Sequence, residues 1–171
     1  MAKVMTSVVL GLALVATAGC TKKRIADVPP GPITDNSGGG GIDNSSGEEQ
    51  SSALNEQFKR EVSSNTIHFS FDQYDIDPEA RAILDSQARW LLAHPGVRIT
   101  IEGHCDERGT REYNLALGDR RANAAKNYLA ARGIPASQIN TISYGKERPV
   151  ALGSDDSSWA QNRRAVTIVI S

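Results

Sequence analysis

The sequence from Glu102 to Ala122, EGHCDERGTREYNLALGDRRA, decides the fold of this chain. It starts as the end of an apolar strand, crosses a short charged loop and continues as a helix. Gly103 and Gly109 permit the sharp turns that a strand-to-helix connection needs. The stretch therefore predicts a sheet with a helix packed against it.

The predicted helix carries two neighbouring stripes of side chains. One is apolar at helical spacing and is predicted to pack on the sheet: Leu115, Gly118, Ala122, Ala125 and Leu129. The other, at steps of three and four residues, consists of Asn114, Leu117 and Arg121. This second stripe is expected at the rim of the packed layer, where Arg121 and the loop residue Asp106 flank one shallow cleft.

Strand and helix patterns alternate through the rest of the domain. Apolar alternation and β-branched residues predict strands at 66–72, 97–104, 138–144 and 164–170. One helix begins at the capping pair Asp77-Pro78 and ends at His94, and a second covers 111–132. Residues 145–158 are predicted to form a loop. The fold class that follows is a two-layer α/β (α+β) sandwich, with a small mixed four-stranded sheet and helices packed on one face.

Two further segments have a face that their spacing marks, one of a half-buried strand and one of a helix. The alternating residues of the first strand are Ile67, Phe69 and Phe71. The helix that starts at Pro78 presents one face made of Ala80, Leu84, Gln87, Ala88 and Leu91.

Composition excludes one broad class of partner. The 171 residues are 39% hydrophobic and 23% charged, enough for one domain with a core plus extra segments. The formal net charge is −1. Because a nucleic-acid-binding protein is expected to carry a basic surplus, nucleic acid is excluded as a partner.

Residues 1–19 have the layout of a secretory signal peptide. Lys3 precedes an apolar run, Val8–Ala16, that is shorter than the ~20 residues of a membrane-spanning helix. The following Thr17-Ala18-Gly19-Cys20 resembles a bacterial lipobox, which implies cleavage before Cys20 and covalent N-acyl and S-diacylglycerol groups on it. Thr21, by the same resemblance, favours an outer-membrane anchor with the domain facing the periplasm. The alternative is an ordinary signal peptide followed by a chance cysteine.

Residues 20–64 are predicted to link the lipid to the folded domain. From Asp27 to about Ser52 the chain is rich in Pro, Gly, Ser, Asn and Asp. Such a composition cannot bury a core, so this segment is predicted to be a disordered tether. A short helix is predicted at 53–62, and the domain is expected to cover 65–171.

Several motifs follow one another in order along the chain. They are Phe69-Ser70-Phe71-Asp72-Gln73-Tyr74-Asp75-Ile76, Glu102-Gly103-His104-Cys105-Asp106-Glu107-Arg108-Gly109-Thr110, Tyr113-Asn114-Leu115-Ala116-Leu117-Gly118, Arg120-Arg121-Ala122, Ser143-Tyr144-Gly145-Lys146-Glu147 and Asn162-Arg163-Arg164-Ala165-Val166. Together they resemble the C-terminal-like domain family of outer-membrane protein A. With its signal and tether, the whole chain is similar to the peptidoglycan-associated lipoproteins, the Pal proteins of the Tol system.

The resemblance implies non-covalent binding of the peptidoglycan stem peptide through diaminopimelate, whose free end carries an ammonium and a carboxylate. The residues that carry this binding in the family correspond to Asp106 and Arg121. A carboxylate suits the ammonium, and a guanidinium can donate two parallel hydrogen bonds to the carboxylate. The expected walls of the cleft are Asn114, Leu117, Phe71, Asp72, Tyr74 and Asp75. The alternative is that Asp106 and Arg121 only form a salt bridge that ties the loop to the helix.

The resemblance also implies a protein partner, a TolB-like β-propeller of the Tol system that docks near the same cleft. Such a partner implies a movable link between outer membrane and cell wall during envelope constriction at division. The surface expected to contact it consists of Glu102, His104, Glu107, Arg108, Tyr144 and Lys146. The alternative function is therefore a docking module whose main ligand is this periplasmic protein rather than the wall.

Catalysis is not expected from this sequence. His104 and Cys105 are neighbours at a strand end and should point to opposite faces of the sheet. That alternation disfavours both a shared metal ion and a Cys–His nucleophile pair. The motifs H-E-x-x-H and G-x-S-x-G do not occur. No enzyme activity, metal or cofactor other than the lipid on Cys20 is predicted.

Overall fold

The computed structural model describes residues 45–170 of the chain. The predicted signal peptide, the lipidation site Cys20 and the tether as far as residue 44 lie outside the described residues. Within the described part, no helix is long and apolar enough to cross a membrane.

Four strands form one mixed sheet, which confirms the predicted fold class. The strands are β1 (Thr66–His68), β2 (Ile99–His104), β3 (Ile139–Gly145) and β4 (Arg164–Val169). Their order in the sheet is β1-β4-β2-β3. Strands β2 and β3 are parallel, whereas β4 runs antiparallel to both β1 and β2. A parallel pair needs a long crossover, and the helix between β2 and β3 provides it.

Helices accompany the sheet at each connection. They are α1 (Ser45–Glu61), α2 (Pro78–Ala93), α3 (Arg111–Ala131) and α4 (Asp156–Asn162), and a single 3-10 turn covers Ala136–Gln138. Helix α2 begins as predicted, because the side chain of Asp77 accepts a hydrogen bond from the Ala80 amide at 2.7 Å. The whole predicted face of α2 is buried: Ala80, Leu84, Gln87, Ala88 and Leu91.

Helix α3 and strand β2 approach each other more closely than side chains allow. A β-carbon on Gly103 would collide with the carbonyl of Gly118, and one on Gly118 would collide with the Ser143 hydroxyl. The two glycines therefore let the helix backbone rest on the strand. This close contact fixes the position of α3 relative to the loop that precedes it.

The first strand is shorter than the predicted 66–72. The chain leaves the sheet after His68 and turns, with Gln73 donating to the Ser70 carbonyl at 3.2 Å and Asp72 in the left-handed region at φ 57°. Phe69 stays buried, but Phe71 is 60% exposed and does not continue the half-buried strand that alternation predicted. The turn directs Phe71 to the surface instead.

Two helices also differ from expectation. Helix α1 begins at Ser45, eight residues before the predicted 53–62 segment, and reaches into the stretch interpreted as tether. Its Phe58 is fully buried and packs edge-on against Trp90, with ring centroids 5.0 Å apart. Helix α4 overlaps the end of the predicted 145–158 loop, and at seven residues it is too short to show a helical apolar pattern.

Candidate ligand-binding cleft

A cleft opens where the β2–α3 loop, the start of α3 and the turn after β1 meet. Its volume is about 220 Å³, enough for a group the size of an amino acid. The lining residues are Phe71, Asp72, Cys105, Asp106, Arg108, Gly109, Tyr113, Asn114, Leu117, Arg121 and Arg163. Three arginines and two aspartates give the lining a formal charge of +1.

Asp106 lies almost fully buried at the base of the β2–α3 loop. Its carboxylate accepts from Nε and Nη2 of Arg108 at 3.2 and 2.6 Å, from the Arg108 amide at 3.1 Å, and from Nη1 of Arg163 at 3.4 Å. Burial raises the pKa of this carboxyl, but the hydrogen bonds and charge of Arg108 outweigh it and hold the pKa below its usual value. Asp106 therefore stays ionised and orients two arginines.

Arg108 is the accessible cation of the cleft. Its side chain is 35% exposed, and its Cζ lies 4.2 Å from the ring centroid of Phe71 and 4.1 Å from that of Trp159. Nε and Nη2 are used on Asp106, and within residues 45–170 Nη1 has no hydrogen-bond partner. One edge of the guanidinium is thus able to donate to a ligand.

Arg121 is not at the rim of the cleft as expected. Its side chain is 1% exposed. The guanidinium donates to three backbone carbonyls, Gln73 at 2.8 Å, His104 at 2.8 Å and Ser70 at 3.2 Å, and to the Cys105 sulfur at 3.4 Å. The predicted free fork for a carboxylate is therefore wrong, since only one Nη2 hydrogen has no such partner among the described residues.

The predicted alternative of an Asp106–Arg121 salt bridge is wrong as well. Within residues 45–170 Asp106 pairs with Arg108 and Arg163, not with Arg121. Burial lowers the pKa of Arg121, although Cys105 and Asp106 act in the opposite direction. Arg121 is a buried cation whose hydrogen bonds join helix α3 to the turn after β1 and to the end of β2.

Asn114 fixes the loop above the cleft. Its side-chain amide donates to the carbonyls of Arg108 at 2.8 Å and Thr110 at 3.0 Å. Thr110 itself caps helix α3 by accepting from the Tyr113 amide at 3.2 Å. Because both amide hydrogens are committed, the group that Asn114 can offer a ligand is its carbonyl oxygen.

A sequence model of the OmpA family matches residues 68–163. The peptidoglycan-associated lipoprotein of Rhizobium meliloti is 59% identical over 103 residues, which are 60% of this chain and 58% of that protein. The protein of the same name from Pseudomonas putida is 43% identical over 155 residues, covering 91% of this chain and 90% of that one. The crystal structure of the peptidoglycan-associated lipoprotein from Burkholderia pseudomallei is 46% identical, with a TM-score of 0.61, covering 62% of this chain and 90% of that chain.

The chain belongs to the OmpA family and is similar to the peptidoglycan-associated lipoproteins. The family match begins in β1 and ends directly after α4, so it contains every residue that lines the cleft. The resemblance inferred from the ordered motifs is thereby confirmed. The cleft belongs to the part of the chain that this family shares.

Most of the predicted ligand-binding residues of this family member come together. The structure places six of them on the cleft: Asp106, Arg121, Asn114, Leu117, Phe71 and Asp72. The other two, Tyr74 and Asp75, are exposed and do not line it. Both follow the turn at Asp72, whose φ is 57°.

The lining also contains five residues that were not predicted to bind the ligand: Cys105, Arg108, Gly109, Tyr113 and Arg163. Tyr113 donates its hydroxyl to the Asp72 carboxylate and so closes one side of the cleft. Arg163 is far from the loop in sequence and reaches it by following α4, while its Nε also donates to the Phe69 carbonyl at 2.9 Å. No local pattern marks Arg163, although it stands inside one of the shared motifs.

The residues predicted to contact a protein partner do not form one exposed surface. His104 is 2% exposed, so its place on that surface is wrong. Its ring lies beside Tyr144, with centroids 5.6 Å apart, on the sheet face away from α3. Lys146 donates to the carbonyls of Glu107 and Gly109 at 3.1 and 2.8 Å, which braces the loop from outside. Glu107 is exposed, whereas Glu102 and Tyr144 are half-buried.

His104 and Cys105 make contacts on different sides of the strand. Both ring nitrogens of His104 lack a hydrogen-bond partner among the described residues, and the carboxylate of Glu102 is 3.5 Å from Nε2. Burial, followed by the charges of Arg164 and Arg148, lowers the pKa of His104 to about 4. Cys105 donates to the Asn114 carbonyl at 3.3 Å, and burial raises the pKa of its thiol. Within residues 45–170, no group of three or more His, Cys, Asp or Glu side chains could hold a metal ion.

Proposed function

We propose that the chain is an outer-membrane lipoprotein that binds the diaminopimelate end of the peptidoglycan stem peptide without forming a covalent bond. In this account the lipid on Cys20 holds the outer membrane and the cleft holds the cell wall. The observation that carries the proposal is the cleft itself, an amino-acid-sized opening with charges of both signs and a surplus of one arginine.

Arg108 receives the ligand carboxylate in this proposal. Its Nη1 edge is unoccupied within the described residues, whereas Arg121 is committed to carbonyls. A guanidinium edge can donate two hydrogen bonds to one carboxylate, and charge-assisted bonds of this kind are among the strongest in proteins. Arg121 adds positive charge beneath the ligand and one further hydrogen on Nη2.

The ligand ammonium is received by Asp106 and Asn114. The contact between Arg163 and Asp106 is the longest that this carboxylate makes, at 3.4 Å, and an ammonium can replace it. The carbonyl oxygen of Asn114 offers a second acceptor. A ligand that lacks either charge forgoes the hydrogen bonds to Arg108 or those to Asp106 and Asn114, which is the basis of selectivity for diaminopimelate.

The anchor places the cleft within reach of the wall. Twenty-four residues separate Cys20 from Ser45, where the described structure begins. A coil of that length spans roughly 25–30 Å. Several acyl chains contribute about 0.8 kcal/mol for each buried methylene, so the domain remains on its membrane while it binds the wall.

Calorimetric titration with two tetrapeptides tests the proposal. One carries meso-diaminopimelate at its third position and the other carries L-lysine, which has the ammonium but lacks the second carboxylate. The proposal predicts that the lysine peptide binds at least about tenfold more weakly, because one charge-assisted pair contributes ~1.5–3 kcal/mol. Equal affinities, or no binding of the diaminopimelate peptide, would contradict it.

A second proposed function is docking of a periplasmic TolB-like β-propeller. Val150 and Leu152 are 61% and 88% exposed. The side chain of Asn162 holds the backbone beneath them, accepting from the amides of Val150 and Ala151 at 2.8 and 3.2 Å. A rigid loop with two exposed apolar side chains suits a protein partner.

Surface variants separate this second proposal from wall binding. Leu152→Asp is expected to weaken binding of the purified propeller protein while leaving peptide binding unchanged. Leu92→Asp, which changes an exposed leucine on α2, is the matched control. Equal effects of the two variants on propeller binding would contradict the assignment of this loop.

A further inference from the structure

Trp159 lies next to the cleft without lining it. It is half-buried on helix α4, and its ring centroid is 4.1 Å from the Cζ atom of Arg108. The ring of Phe71 packs on the same guanidinium at 4.2 Å. Arg108 is therefore held by two aromatic rings as well as by Asp106.

Helix α4 keeps the tryptophan ring in place. The indole Nε1 donates to the Glu107 carboxylate at 3.0 Å, which joins α4 to the β2–α3 loop. Asp155 caps the helix by accepting from the amides of Ser157 and Ser158, each at 3.0 Å. At the other end Asn162 is buried and bonded to residues 150 and 151. The ring thus belongs to a braced element rather than a free loop.

The packing determines what Arg108 can do. An unrestrained arginine loses rotamer freedom when it binds a ligand, which lowers the affinity by about two- to tenfold. The two rings and the bidentate contact to Asp106 already hold Arg108 in one conformation before any ligand binds. The unoccupied Nη1 edge is then already oriented.

We propose that Trp159 is a positioning residue for ligand binding, acting through Arg108 rather than by touching the ligand. The proposal rests on the proposed function of the cleft. Because the packing orders Arg108 before any ligand arrives, loss of the ring should weaken binding by up to about tenfold, the affinity that ordering one such side chain costs.

A double-mutant cycle tests this role on the full-length chain in mild detergent, by calorimetry with the diaminopimelate tetrapeptide. Trp159→Ala is expected to weaken binding by up to about tenfold, and Trp159→Phe, which keeps a ring, by less than about threefold. In an Arg108→Ala background, Trp159→Ala should cause no further loss. A full additional loss in that background, or unchanged affinity for Trp159→Ala alone, would overturn the proposal.

Two further measurements keep the outcomes distinct. Phe71→Ala changes an exposed side chain, so the same cycle with Phe71 applies even where Trp159→Ala does not fold.

Nuclear magnetic resonance detects the packing of the two rings on Arg108 without any ligand, since aromatic rings shift the resonances of nearby side-chain protons. This shift of the Arg108 side-chain protons should diminish in Trp159→Ala, and an unchanged shift would overturn the proposed packing. Absence of peptide binding by the wild-type chain would instead refute the proposed function.

Discussion

At the residue scale, two arginines of the cleft carry the same charge but serve different purposes. Arg121 donates to three carbonyls from a position that is 1% exposed. Arg108 is partly exposed and keeps one edge without a partner in the described part of the chain. Lysine retains the charge and loses the planar fork, so paired Arg→Lys variants separate structure from binding.

Arg121→Lys should lower the free energy of unfolding by about 2–4 kcal/mol, because it leaves buried carbonyls without donors. Arg108→Lys should change it by less than about 1 kcal/mol, since its ion pair is partly exposed. The same Arg108 variant should weaken peptide binding at least about tenfold. Urea unfolding and calorimetry measure the two quantities. Comparable stability losses in both variants would contradict the division of roles.

His104 makes the stability of the domain sensitive to acid. Its pKa is lowered to about 4 in the folded state, against about 6.5 when the chain is unfolded. A depressed pKa means that the neutral form stabilises the fold. This contribution is complete above about pH 6.5 and is lost as the pH falls toward 4. The groups that face the ring are Glu102, Tyr144, Arg148 and Arg164.

His104→Phe should therefore flatten the acid limb of the stability curve. In the wild type, protonation of His104 is expected to remove on the order of 3 kcal/mol between pH 7 and pH 4. Phenylalanine fills a similar space and does not titrate. Urea unfolding at several pH values measures the difference. An identical fall in both proteins would show that other groups cause the acid sensitivity.

At the scale of secondary-structure elements, the packing of α3 on β2 depends on glycine, which has no side chain, at positions 103 and 118. A methyl group on Gly103 would meet the backbone carbonyl of Gly118, which cannot move without shifting the helix. Gly103→Ala is expected to destabilise the domain by more than about 3 kcal/mol. Gly96→Ala is the matched control, since it has a φ of 95° and no atom nearby; it should cost about 1–2 kcal/mol. Thermal unfolding compares them, and equal losses would contradict the close-contact account.

The elements with periodic or capped sequences could be predicted, whereas those set by distant contacts could not. Helix α2 has both a capping Asp77 and a helically spaced face of five residues, and the structure confirms the cap and the burial of that face. The alternation of apolar and polar residues predicts a seven-residue strand β1, but the strand ends after three residues and the chain turns at Asp72. Helix α4 has only seven residues, too few for a periodic signal, although Asp155 is a recognisable cap.

The site shows the same limit. Spacing brought Asn114, Leu117 and Arg121 together on one helix face, and the structure places all three on the cleft. The spacing of residues along the helix could not show that Arg121 donates its hydrogen bonds to carbonyls in the turn after β1. Nor could it show that Arg163 and Trp159 arrive from α4, because no local pattern links them to residue 106.

At the scale of the whole molecule, the proposed link runs from the lipid on Cys20, through the chain that follows, to the cleft on the domain. Helix α1 is part of the domain rather than of the linker, since the amide of Val169 donates to the side chain of Asn55 at 3.0 Å and Phe58 is fully buried. The proposed linker is therefore shorter than the predicted 20–64, which reduces the distance from the membrane that the cleft can reach in this account.

Sedimentation with purified diaminopimelate-type sacculi tests the central claim most directly. The full-length chain in mild detergent is compared with Asp106→Asn and with Asp75→Asn, which removes an exposed carboxylate that does not line the cleft. Wild type and Asp75→Asn should sediment with the sacculi, while folded Asp106→Asn should remain in the supernatant, because its arginines lose their anionic partner. Wild-type protein that stays in solution, or folded Asp106→Asn that sediments like the wild type, would contradict the account.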